Sequence, residues 1–166
     1  GPQTAFAQCS ADIALYGGEA GSGKTYAALL EHARWCQLPG YAGIIFRRDG
    51  SQLHGPGSLW TEARKLFPAI GGARMREGSQ MDATWPSGAN VAFRGLIRPE
   101  TVQEYQGFAY IQITFEELTH FTEDQFWYMW TRCRPLGPGL PIPYMRATVN
   151  PDATSWVRKL VDWYIG

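Results

Sequence analysis

Apolar and polar positions along the chain change their period several times, and each change marks a new element. Residues 12–16 (DIALY) form a short apolar run that stops at Gly17-Gly18, and residues 24–36 follow with good helix formers, so strand, glycine loop and helix are predicted in that order. Residues 42–46 (AGIIF) read as a second buried strand. Leu59, Ala63, Leu66 and Phe67 recur at helical spacing after the turn signal HGPGS, which predicts a helix over 59–67. Segments 82–85 and 89–93 alternate and are separated by Pro86-Ser87-Gly88, the pattern of a hairpin. A third principal strand is predicted over 109–115 (AYIQITF), closed by Glu116-Glu117. A helix capped by Thr122 follows over 123–132, and a fourth strand over 144–149. Between these last two, PLGPGLPIP at 135–143 is a rigid, non-helical connection. Strands alternating with helices predict an α/β domain of three layers with a mainly parallel sheet.

Composition narrows this picture. The 166 residues, 45% hydrophobic, suit a single domain over 1–166 with a sizeable core. Lys plus Arg and Asp plus Glu both number 15, so overall charge does not draw the chain to nucleic acid, and any DNA contact is local. Three widely spaced cysteines without a CxxC argue against a disulfide framework or a zinc site and favour a reducing compartment. No apolar run approaches the roughly 20 residues of a membrane span, and the start lacks a signal pattern, so a soluble intracellular domain without a membrane partner is expected. Both ends read as cut from something longer.

The chemistry begins at GEAGSGKT, residues Gly18, Glu19, Ala20, Gly21, Ser22, Gly23, Lys24 and Thr25. This fulfils G-x-x-x-x-G-K-[ST] between a predicted strand and a predicted helix, the context a phosphate-binding loop requires. Backbone N–H groups wrap around phosphates there, Lys24 reaches the β and γ phosphates, and the Thr25 hydroxyl ligates Mg²⁺, so ATP and Mg²⁺ are the expected cofactors. An acid at the carboxyl end of a neighbouring strand should complete such a site. Glu116-Glu117 stands in that place: Glu116 for Mg²⁺, directly or through water, and Glu117 as the base that activates the attacking water. The other reading of this pair is two solvated carboxylates capping the next helix. With the extra strand and hairpin between loop and acids, the order fits the P-loop NTPase class that adds a catalytic glutamate.

Together these segments resemble the ATPase domain of the large terminase subunit of tailed bacteriophages. The likeness runs through Pro2-Gln3, ADIALYGGEAGSGKT, IIFRRD, PSGANVAF, YQGFAYIQITFEELTHFTEDQF and ATVNPD followed by SWVRKLVDWYI. The resemblance implies ATP hydrolysis that pumps viral double-stranded DNA into a preformed capsid in the cytoplasm of the infected bacterial host. It also implies a portal protein, a small terminase subunit and a homo-oligomeric ring as partners. A C-terminal nuclease domain belongs to such subunits, but its acidic cluster has no counterpart after Asp162, so ATPase without DNA cleavage is expected of this chain. By the same resemblance Gln3 is a candidate for adenine recognition, and Thr148, Asn150 and Pro151 match the coupling motif that senses the γ-phosphate.

The family also requires an arginine near the γ-phosphate. Some terminases carry it inside the P-loop, where this chain has Glu19 and Ala20. Arg47, Arg48, Arg94, Arg98, Arg132 and Arg134 are therefore the candidates, in cis or from a neighbouring subunit. Phe121, Phe126, Trp127, Tyr128 and Trp130 crowd the 123–132 helix at a spacing nearer to a core or contact face than to a base-stacking platform. His120 reads as a partner for a carboxylate or a turn cap. Two other functions stay open on sequence: a helicase or recombination ATPase acting on DNA without a capsid, and a nucleotide-dependent assembly module that does not hydrolyse.

Overall fold

In the computed structural model, which describes residues 10–18, 23–50, 55, 57–150 and 155–165, the apolar runs pair into one seven-stranded sheet. Its strands are β1 (Ile13–Gly17), β2 (Ala42–Arg47), β3 (Arg74–Arg76), β4 (Met81–Thr84), β5 (Asn90–Gly95), β6 (Gln112–Phe115) and β7 (Tyr144–Val149). They lie in the order β1-β7-β6-β2-β5-β4-β3. Pairings from β1 through β5 are parallel, and β4 and β3 add antiparallel edges. The predicted hairpin is the β4–β5 pair. The short edge strand β3 was not predicted, since three residues carry no readable alternation.

One expectation is corrected by the strand order. The acid-bearing strand was placed next to the strand that feeds the P-loop, but β7 lies between β1 and β6. Pairing of strands far apart in sequence is decided by the whole sheet, so local patterns do not reveal it. The insertion sets Thr148 and Asn150 between the P-loop and the acids.

Among the described residues four helices flank the sheet: α1 (Lys24–Ala33), α2 (Leu59–Ala69), α3 (Glu123–Trp130) and α4 (Trp156–Ile165), with 3-10 turns at Pro99–Tyr105 and Leu118–His120. Three of the starts have a local cause. Gly23 takes φ 78°, a left-handed conformation that glycine adopts without strain, and turns the chain into α1. The Ser58 side chain caps α2. Thr122 and Gln125 form a capping box at α3, and the Gln125 amide also donates to the carbonyls of Leu96 and Arg98. Helix α1 ends three residues earlier than its propensity suggests, before Pro39-Gly40.

Alternate residues of each strand enter opposite cores. Ile45, Val91 and Phe93 pack with Trp60, Ala63 and Phe67 under α1 and α2. Ile44, Phe46, Ile113, Phe115, Met145 and Ala147 pack with Phe121, Phe126, Met129 and Val157 under α3 and α4. This makes three layers, as expected. Phe121 and Phe126 are buried against Phe115, whereas Trp127 remains 38% exposed. Most of the aromatic cluster is therefore core, and each fully buried ring adds about 1.5–3 kcal/mol of transfer free energy. No helix among the described residues is long and apolar enough to cross a membrane.

Candidate functional site

The carboxyl ends of β1, β7, β6 and β2 open onto one cleft of about 440 Å³. Lys24, Thr25, Arg47, Glu116, Glu117, Thr148 and Asn150 line it, and Tyr26, Ser58 and Glu62 form its other rim. Lys24 starts α1 and folds back over the loop, where its ammonium donates to the carbonyls of Gly18 at 2.6 Å and Val149 at 3.2 Å. The third donor goes to the Asn150 side chain. Thr25 sits one residue further along α1 and donates its hydroxyl to Glu116 Oε1 at 2.7 Å.

Glu116 is anchored where β6 ends. Its backbone N–H donates to the Phe46 carbonyl of β2 at 2.9 Å, and its side chain is nearly enclosed, the residue being 6% exposed. Burial pushes its carboxyl above the usual carboxylate range, while the Thr25 hydroxyl and the Arg47 guanidinium act in the opposite direction.

Glu117 departs from the strand. Its φ of 59° and ψ of 67° are left-handed, and it is the one non-glycine residue with positive φ among those described. Such a conformation costs about 1–2 kcal/mol for a residue with a Cβ. Successive side chains of a regular strand point to opposite faces, so two adjacent carboxylates would normally diverge. Here the left-handed turn keeps both within reach of one cation: Arg47 Nη1 lies 3.4 Å from Glu116 Oε2 and 3.3 Å from Glu117 Oε1. The Glu117 N–H donates to Thr148 Oγ1 at 3.0 Å, and His120 Nδ1 is 3.0 Å from Glu117 Oε2. The strained residue is thus held from β7, β2 and the following 3-10 turn.

Oxygen donors from Thr25 and Glu116 side by side suit a hard divalent cation, since Mg²⁺ takes one or two protein oxygens and leaves the rest of its octahedron to phosphate and water. Glu117 lines the same cleft, with its two carboxylate oxygens facing Arg47 and His120.

Of the predicted site residues, Gly18, Gly23, Lys24, Thr25, Glu116, Glu117, Thr148 and Asn150 come together here. Gln3, Glu19, Ala20, Gly21, Ser22 and Pro151 lie outside the described residues. Among the six arginine candidates, Arg47 alone touches the acids. Arg48 is exposed beside it, and Arg98 is exposed where its carbonyl accepts from Gln125. Arg94 donates to the carbonyls of Met81 and Phe93. Arg132 and Arg134 flank Tyr110, before β6 starts, and so stand at the opposite end of the sheet. The rim residues Tyr26, Ser58 and Glu62 were not foreseen; the HGPGS turn was the available signal for the last two.

A parallel, twisted sheet between helical layers, with a Lys-Thr pair at a helix start facing buried acid at strand ends, is the arrangement of a P-loop nucleotide-binding domain. Residues 15–165 match the model of the terminase large subunit, T4likevirus-type, N-terminal family, and the chain belongs to that family. Solved structures agree in fold. The large terminase of a thermophilic bacteriophage superposes with a TM-score of 0.67 at 15% identity, over 90% of this chain and 38% of its own. The large terminase ATPase domain of Thermus phage P74-26 gives 0.65 at 14%, over 96% and 67%. The HK97 bacteriophage large terminase gives 0.70 at 11%, over 98% and 36%. The chain therefore spans under two-fifths of the length of the first and the last of these three terminases. The first has also been solved with ADP and with ATP-gamma-S. No curated protein matches the chain in sequence.

Proposed function

We propose that this chain is the single ATPase domain of a terminase large subunit, hydrolysing ATP with Mg²⁺ to drive double-stranded DNA into a viral procapsid. The observation that carries the hydrolytic reading is the convergence of Thr25, Glu116 and Glu117: the first two within 2.7 Å of each other, the third turned by its backbone toward the same cleft.

In this reading Lys24 and residues 18–25 bind the phosphates, with Gln3 as the adenine contact. Thr25 and Glu116 hold Mg²⁺, which when bound neutralises phosphate charge. Glu117 receives the proton of a water attacking in line with the leaving group, and its contacts to Thr148, Arg47 and His120 orient it for that step. Arg47 is favoured as the arginine acting in cis, by its position. Arg48, Arg94, Arg98, Arg132 and Arg134 are left for a role in trans, and Arg132 and Arg134, at the far end of the sheet, would serve only from a neighbouring subunit.

Lys24 offers a route to mechanical coupling. Two of its three donors are engaged by Val149 and Asn150, so a phosphate oxygen that takes one of them loosens the end of β7, where Thr148, Asn150 and Pro151 form the proposed coupling segment. A homo-oligomeric ring, the portal protein and the small terminase subunit are the proposed partners, and the infected host's cytoplasm the location.

Steady-state phosphate release from Lys24→Ala and Glu117→Gln variants tests the reading. Both should lose at least about 100-fold in turnover. Undiminished turnover in either removes the assignment.

A further inference from the structure

Beside the apolar contacts of Leu29 and Ala33, the underside of α1 also rests on polar side chains. With Ile113, Phe115, Met145 and Ala147 turned to the α3 side, β6 directs Gln112, Thr114 and Glu116 toward α1, and β7 directs Tyr144, Arg146 and Thr148 there. All six are buried. Buried polar groups are tolerated when their donors and acceptors are matched, and around His32 the matching closes a circuit.

Tyr41 has one proton, which it donates to Gln112 Oε1 at 3.0 Å, so at His32 Nδ1, 2.8 Å away, it must accept. His32 therefore carries its proton on Nδ1, and Nε2 accepts from the Thr114 hydroxyl at 2.8 Å. Thr114 in turn accepts from the Gln112 amide at 3.3 Å. Tyr144 donates to Gln112 Oε1 at 2.8 Å and accepts from the Trp35 indole at 2.6 Å. Burial keeps the ring of His32 neutral, with its pKa lowered to about 3, as an accepting Nε2 requires. Gly43 lets β2 close on the ring, because a Cβ there would lie 2.5 Å from His32 Nδ1.

Such a circuit closes in one register only. Sliding α1 by a single residue moves its side chains about 1.5 Å along the axis and turns them by about 100°, which breaks the bonds, whereas an apolar contact would yield gradually. The same two elements carry the site: Thr25 of α1 bonds Glu116 of β6, and about two helical turns further on His32 bonds Thr114.

We propose that the His32–Thr114 bond, backed by Tyr41 and Gln112, is the pin that fixes the register of α1 on β6 and thereby the spacing of Thr25 and Glu116. His32 is a positioning residue for the Mg²⁺-dependent binding of nucleotide. The inference rests on the reading of Thr25 and Glu116 as the Mg²⁺ ligands.

Equilibrium binding of a fluorescent ATP analogue, titrated with Mg²⁺ and without it, tests the pin alongside thermal melting. The double variant His32→Leu/Thr114→Val replaces both partners of the pin by apolar groups, while the Tyr41 hydroxyl and the Gln112 amide each lose one bond. It should melt about 5–10 °C below the native protein, bind the analogue equally in the absence of Mg²⁺, and need on the order of 10-fold more Mg²⁺ for half-saturation. Thr114→Ser, which keeps the hydroxyl, should retain the native requirement. A folded double variant with an unchanged Mg²⁺ requirement overturns the proposal, as does an equal loss of binding with and without Mg²⁺. Should the double variant not fold, single Thr114→Val, isosteric with the native side chain, carries the same readout. If the native protein itself shows no Mg²⁺ dependence, the ligand reading of Thr25 and Glu116 fails instead.

Discussion

Thr25 and Glu116, separated by 91 positions in sequence, meet across a 2.7 Å hydrogen bond at the mouth of the cleft. One comes from the first turn of α1 and the other from the end of β6, so their meeting depends on how the helix lies over the sheet.

Arg47 is the cation that Glu116 and Glu117 share, and its charge opposes the burial that raises the Glu116 carboxyl. Arg47→Ala should therefore push Glu116 further up. In the proposed role of Glu116 as a Mg²⁺ ligand the ionised carboxylate is required, so the acid limb of the pH–rate profile should move to higher pH, with turnover reduced by about 10- to 100-fold. A profile that stays in place separates Arg47 from the acid pair.

Glu117 sits in a left-handed conformation that glycine accepts and alanine does not. Glu117→Gly and Glu117→Ala both lose the contacts to Arg47 and His120, partly exposed pairs that contribute about 0–1 kcal/mol. The difference between the two variants is then mainly backbone strain. Glu117→Gly should be the more stable by about 1 kcal/mol, the reverse of the order in a helix, while both lack turnover. Chemical denaturation of the pair checks this, and equal midpoints would show that the turn carries no strain.

His32 gives the domain an acid sensitivity with a definite sign. Its pKa falls from 6.5 in the unfolded chain to about 3 in the fold, so the unfolded state binds the extra proton. The stability this contributes is complete above pH 6.5 and is lost as pH falls toward about 3, at up to about 1.4 kcal/mol per pH unit. Glu31 and Glu116, whose carboxyls are raised by burial, act oppositely: stability declines as pH rises from the ordinary carboxylate value of 4.5 to their raised values. Denaturation midpoints at pH 7 and pH 5 should fall less in His32→Leu/Thr114→Val than in the native protein. Equal falls would show that His32 already titrates normally in the fold.

Legibility in the sequence divided along the line between local and long-range chemistry. The loop–helix start at Lys24 and Thr25, the Glu116-Glu117 strand end and the β4–β5 hairpin each have a signature within a few residues, and each took its expected form. The position of β7 between β1 and β6 had none, because strand order is set by packing across the whole sheet. Helix α4 was not predicted, although its Val157 enters the core. Arg47 was one of six equivalent arginines until β2 was set beside β6. His32 looked like any helical histidine, since its partners Tyr41 and Thr114 are brought to it by the turn after α1 and by a strand far along the chain.

The proposed hydrolysis turns on Glu117 activating the water that cleaves ATP bound by Lys24, Thr25 and Glu116. A single-turnover experiment with radiolabelled ATP and saturating Mg²⁺ measures that step apart from product release. Glu117→Gln should bind ATP with native affinity and convert it at least about 100-fold more slowly. Conversion at the native rate by the bound variant would contradict the account.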